Sequence, residues 1–138
     1  INLLKTYMPD VIGIKVFTKD AAGARRAIQI VRQTLPAAIL VIGGPHPSAC
    51  EPANLMADFD QVDFAIKGEA EESLPCLLES LQAKKGMKPL AEEELLLVPG
   101  LVFRSGGRII SNTLKIINMR TDFRAQILFS QRHFPGAI

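Results

Sequence analysis

Ile39-Leu40-Val41-Ile42-Gly43-Gly44-Pro45-His46-Pro47-Ser48 decides the fold. A short apolar run stops at two glycines followed by Pro-His-Pro. A near-continuous apolar run of this length is the pattern of a strand buried on both faces of a parallel sheet. Glycine has no Cβ and reaches positive φ, so a ligand can approach the backbone directly at Gly43-Gly44. In open α/β sheets, ligands bind outside the carboxyl ends of the strands. The stretch therefore predicts a strand ending where a cofactor would be held.

Working outward, the neighbouring segments repeat one unit. Val11 to Phe17 is nearly continuous in apolar residues and predicts a strand. Thr18-Lys19-Asp20 offers N-cap chemistry. Ala24, Ala27, Ile28, Val31 and Leu35 then fall on one helical face of Ala21 to Leu35, and Pro36 ends the helix. Arg25, Arg26 and Arg32 fill the other face, which is expected to be solvated. After the glycine loop come a shorter helix (Ala53 to Phe59) and a third strand (Val62 to Lys67). A helix follows over Ser73 to Leu81, with Glu69, Glu71 and Glu72 near its N-terminus, where the helix dipole favours acids. Lys84-Lys85-Gly86 supplies matching C-terminal signals. Leu90 to Leu97 fits either a helical turn or a strand. Val98 to Arg104 and Arg108 to Ser111 flank Ser105-Gly106-Gly107 and predict a hairpin. From Thr113 to Ile138 the periodicity is lost. That segment is expected to be a linker or trailing arm, with one candidate strand at Lys115 to Asn118.

Strands alternating with helices at these lengths imply right-handed βαβ crossovers. The expected fold is α/β: a three-layer, Rossmann-like (flavodoxin-like) domain with a parallel sheet and a C-terminal β-hairpin.

Composition narrows the function. The chain has 138 residues, 48% hydrophobic and 22% charged, with a net charge of +2. That is one ordinary globular domain. No Lys/Arg block exceeds two residues, so no nucleic-acid footprint is expected. No apolar run approaches the ~18 residues that span a bilayer, and no secretory pattern opens the chain. Cys50 and Cys76, far apart in sequence, fit reduced thiols in a cytoplasmic protein better than a disulfide framework. They lack metal-ligand spacing. The chain opens at Ile1, inside what reads as a helix end (Ile1 to Tyr7), as expected for a piece of a longer protein.

Several motifs stand in one order: Pro9 to Ile14 entering a strand, Val41 to Ser48 leaving the next, Val62 to Glu71 leaving the third, then Pro99 to Arg104 with Gly106 to Ile109 and Asn112. Together they resemble the cobalamin-binding domain that precedes the catalytic barrel of radical S-adenosylmethionine enzymes. That group includes methyltransferases and the anaerobic magnesium-protoporphyrin monomethyl ester cyclases. The resemblance covers roughly residues 9 to 112. It implies a cobalamin lying across the carboxyl ends of the strands, its nucleotide tail beside the strand ending at Gly43-Gly44. The first contact loop would be Lys15, Val16, Phe17 and Thr18. The second would be Gly43, Gly44, Pro45 and His46. Gly68, Glu69 and Glu71 would form the third. Residues 1–112 would be the cofactor domain, lacking its usual first strand and helix, and residues 113–138 would lead toward a catalytic barrel. The sheet edge left open invites pairing with a second copy.

The sequence departs from the family in two informative ways. Members that bind cobalamin through a histidine use Asp-x-His-x-x-Gly, which is absent here, so neither His46 nor His133 is expected to ligate cobalt. The iron–sulfur cluster of the radical enzymes needs three thiolates in Cys-x-x-x-Cys-x-x-Cys, also absent. S-adenosylmethionine and that cluster would belong to the catalytic barrel. No residue here is assigned a catalytic or metal-binding role. The alternative is a cofactor-free scaffold that only positions a barrel or another subunit. A receiver domain would want paired aspartates at strand ends, and a nicotinamide-binding domain would want Gly-x-Gly-x-x-Gly. Neither pattern is present.

Overall fold

Val11–Lys15 (β1), Ile39–Gly43 (β2) and Phe64–Ile66 (β3) form the parallel heart of a computed structural model that describes residues 2–83 and 90–114. Ile12 pairs with Leu40, Gly13 with Val41 and Ile42 with Ala65. Leu101–Ser105 (β4) then joins β3 antiparallel, with Phe64 opposite Phe103, and Arg108–Ser111 (β5) completes the order β1-β2-β3-β4-β5. The expected hairpin is therefore part of the sheet. Its turn uses Gly106 and Gly107, both at positive φ (55° and 75°). That is what a two-residue turn matched to strand twist requires.

Helices cover both faces, giving the expected three layers. On one side, Ala21–Thr34 (α2, preceded by a short helical turn at Thr18–Asp20) and Pro52–Asp58 (α4) pack Ile28, Val31, Leu55, Met56 and Phe59 against Leu40, Ile42, Ala65 and Val102. Asn2–Tyr7 (α1) adds Leu4 to that layer. On the other side, Ala70–Ala83 (α5) and the short Glu92–Leu95 (α6) set Leu77 and Leu95 against Val41, Ile66, Leu101 and Phe103. Alternate residues of β2 thus feed opposite cores, as the two-residue period of a strand dictates. Both cores are built from apolar side chains, and each fully buried aliphatic side chain contributes roughly 1.5–3 kcal/mol.

Local departures from the sequence pattern have local causes. Pro45–Ala49 forms a helical turn (α3) rather than a loop. Its prolines fall in the first turn, where the amides have no intrahelical partner anyway. Val16 leaves the β1 ladder but still donates to the Gly43 carbonyl (2.8 Å). Helix α5 starts at Ala70 and carries Pro75 within it. Among the α2 arginines, Arg32 is not simply solvated. Its guanidinium donates to the carbonyls of Pro36 (2.9 Å), Ala38 (2.8 Å) and Gln61 (2.7 Å) and to Asp63 Oδ2 (3.0 Å). Arg25 lies 5.6 Å from the centre of the Phe59 ring.

Packing extends past the expected boundary at residue 112: Gly100 donates to the Thr113 carbonyl (3.1 Å) and Leu114 rests on Gly68 and Gly100. The rest of the expected arm, with its candidate strand at Lys115 to Asn118, lies outside the described residues, as do Ile1 and Lys84-Lys85-Gly86.

Candidate functional site

The carboxyl ends of β1, β2 and β3 bring the three expected loops to one edge of the sheet. The first and second loops are joined through backbone: Val16 donates to Gly43, and His46 donates back to the Val16 carbonyl (3.1 Å). That exchange sets the geometry of Gly44, which adopts φ 107° and ψ −168°, a combination essentially confined to glycine. A Cβ on Gly44 would stand 3.0 Å from Lys15 Cγ and 3.1 Å from the Val16 carbonyl oxygen. Glycine is thus required there by the chain's own close approach. Gly43 differs: the nearest atom to a Cβ placed there is the Ile66 carbonyl oxygen, 3.9 Å away, so space remains beside it.

Ser48 joins the second loop to the third. Its hydroxyl donates to the Gly44 carbonyl (2.8 Å) and accepts from the Gly68 amide (3.0 Å). Lys67, at the end of β3, donates from Nζ to the Cys50 carbonyl (2.8 Å). Gly68 stands at φ 81°. Ser48 and Lys67 were not among the residues expected in the site, although Ser48 closes the stretch that decides the fold.

His46 is half-buried. Nδ1 faces Thr18 Oγ1 at 3.3 Å, Nε2 faces Cys50 Sγ at 3.5 Å, and the ring meets Phe59 edge-on with centroids 5.9 Å apart. Both ring nitrogens therefore have partners within the chain. Lys15 and Phe17 lie on the open side, the Lys15 ammonium 5.1 Å from the Phe17 ring centre. Thr18, Pro45, Gly68, Glu69 and Glu71 are exposed, and Glu71 occupies the first turn of α5. No disulfide joins Cys50 and Cys76. Among the described residues, no group of three or more His, Cys, Asp or Glu is placed to hold a metal ion, and no helix is long and apolar enough to cross a membrane.

The edge thus offers neutral and charged hydrogen-bonding groups (Lys15, Thr18, Glu69, Glu71) around a glycine floor, backed by a rigid sheet. It can hold and orient a large partner molecule through many weak contacts.

Residues 1–78 match the family model of the B12 binding domain. Over 108 residues the chain is 24% identical to the anaerobic magnesium-protoporphyrin IX monomethyl ester cyclase of Cereibacter sphaeroides, covering 78% of this chain and 17% of that protein. It is 23% identical over 108 residues to an uncharacterized methyltransferase of Pyrococcus horikoshii, covering 78% of this chain and 22% of that protein. The chain therefore spans about a fifth of the length of these curated relatives. Its fold is similar to that of the cobalamin-dependent S-adenosylmethionine radical enzyme OxsB in the apo state. The TM-score is 0.64 at 20% identity, over 91% of this chain and 18% of that one.

Proposed function

Because the chain belongs to the B12-binding domain family, we propose that it holds a cobalamin across the carboxyl ends of β1, β2 and β3. It would do so as the cofactor module of a radical S-adenosylmethionine enzyme, of the oxidative cyclase or methyltransferase type. The observation that carries this reading is the convergence of the three loops at one edge, fastened to one another through Val16, His46 and Ser48.

The residues present suit the group. A cobalamin is a broad disc rimmed by carboxamides with a long nucleotide tail. Lys15, Thr18, Glu69 and Glu71 can donate to or accept from such a rim, and the slack beside Gly43 leaves room for backbone approach. His46 has Thr18 and Cys50 on its two nitrogens, which supports a role in tying loops together rather than in ligating cobalt. When bound, the cofactor supplies its cobalt-centred chemistry. The chain's own residues bind it, fix its orientation and present its open face to the rest of the parent protein. Residues 1–112 would form this module, with Thr113 and Leu114 packed onto it, and the rest of 113–138 would connect it onward to a catalytic barrel. The barrel would carry the iron–sulfur cluster and S-adenosylmethionine. The outer edge of β1 has no strand partner among the described residues, and a second copy pairing there would give a dimer.

A cofactor-free scaffold is the second reading. What favours it is that the loops satisfy one another: Gly44's missing Cβ is matched by Lys15 and Val16, and the Gly68 amide already bonds Ser48. Gel filtration of the chain with hydroxocobalamin at micromolar concentration separates the two. Co-elution of a corrinoid spectrum with the protein supports the module, and its absence supports the scaffold. The elution volume also reports the dimer.

A further inference from the structure

Leu114 stands where neither the sequence pattern nor the three-loop scheme places a site residue. β5 runs parallel to β3, so the chain leaving it arrives at the same edge as the three loops. It is anchored there. Asn112 donates its amide to the Leu101 carbonyl (2.8 Å) and its side-chain Nδ2 to the carbonyls of Leu95 (2.8 Å) and Val98 (2.7 Å). Two glycines then make room. A Cβ on Gly68 would lie 2.6 Å from Leu114 Cδ2, and a Cβ on Gly100 would lie 2.9 Å from the same atom. Both glycines adopt positive φ (81° and 65°). Gly68 thus gives way to the leucine, Gly100 gives way first to the Lys67 carbonyl and then to the leucine, and yet Leu114 remains 58% exposed. A leucine so placed is held at the ligand edge with most of its surface available.

Building on the cobalamin reading, we propose that Leu114 is a fourth wall of the site: an apolar contact for the flank of the bound corrinoid, seated on Gly68 and Gly100. It is a positioning residue. It meets the methyl- and methylene-covered periphery of the macrocycle, while the polar loops meet its carboxamides. Much of its exposed surface would be covered on binding, so truncation is expected to weaken affinity by about tenfold.

The test is titration of the full chain with hydroxocobalamin, followed by absorbance. Wild type, Leu114→Ala, Leu114→Asp and Leu114→Met are compared, with the melting temperature of each measured without cofactor. The expected result is a Kd raised about tenfold by Leu114→Ala and further by Leu114→Asp. Leu114→Met should stay within about twofold, and all four melting temperatures should agree within about 2 °C. Unchanged affinity in Leu114→Ala overturns the proposal and leaves cobalamin binding intact. Lost affinity with a melting temperature several degrees lower overturns it too, because Leu114 would then be a packing residue covered by the chain itself. If the wild type binds no corrinoid, the cobalamin reading fails first and this inference falls with it.

Discussion

At the amino ends of β2 and β3, two guanidinium groups gather the backbone. Arg32 joins Pro36, Ala38, Gln61 and Asp63, and Asp63 in turn accepts from the Leu40 amide (2.8 Å). Arg104 reaches across from β4 to the carbonyls of Met56, Phe59 and Val62, closing the C-terminal end of α4. At the carboxyl ends, the ties are a serine hydroxyl, a histidine ring, a few amides and a single ammonium, Lys67 on the Cys50 carbonyl. Charge-assisted bonds to several carbonyls are stronger than neutral ones, and cations suit helix C-termini. One edge is thus braced from within, and the other keeps Lys15, Thr18, Glu69 and Glu71 turned to solvent. The difference teaches which end is scaffold and which is site.

Substitutions can break or sharpen that contrast. The largest effect is expected for Gly44→Ala, where a Cβ meets backbone atoms of Val16 in a conformation nearly confined to glycine. It should cost about 2–3 kcal/mol in urea unfolding and also abolish corrinoid retention. Next comes Arg32→Ala, which takes the guanidinium from three carbonyls and from Asp63, the latter keeping the Leu40 amide. Its side chain is 25% exposed, so a loss of about 1–2 kcal/mol is expected, with cofactor affinity unchanged once the protein is folded. Arg104→Ala, more exposed, should cost about 1 kcal/mol, again with affinity unchanged. His46→Ala should do the reverse: stability within about 1 kcal/mol of wild type, and affinity reduced several-fold as the first loop loosens from the second. The smallest effect on stability is expected for Lys15→Met, which loses an exposed cation–π contact worth about 0.5 kcal/mol. If the arginine variants bind corrinoid worse than His46→Ala does, the division of the two edges is wrong.

Much of the parallel sheet was legible because its strands are near-continuous apolar runs between turn residues, and α2 because Ile28, Val31 and Leu35 recur at helical spacing. The convergence of the loops at one edge follows from right-handed crossovers. What local pattern could not show depends on contacts far along the chain. Arg32 reads as a surface residue until Gln61 and Asp63 arrive beside it. The α3 turn hid behind two prolines that normally signal a loop. Gly44 looked like space for a ligand, yet its missing Cβ faces Lys15 and Val16. Leu114 carries no periodic signal, since its place is set by two distant glycines and the Asn112 anchor.

The central claim, that cobalamin lies on the carboxyl edge, is tested most directly by backbone amide NMR of the isotope-labelled chain during a hydroxocobalamin titration. The account expects saturable shifts at Val16 to Thr18, Gly43, Gly44, His46 and Gly68 to Glu71, with Leu40 and Asp63 at the braced edge unmoved. Saturable shifts centred on the braced edge, or no shifts at all, would contradict it.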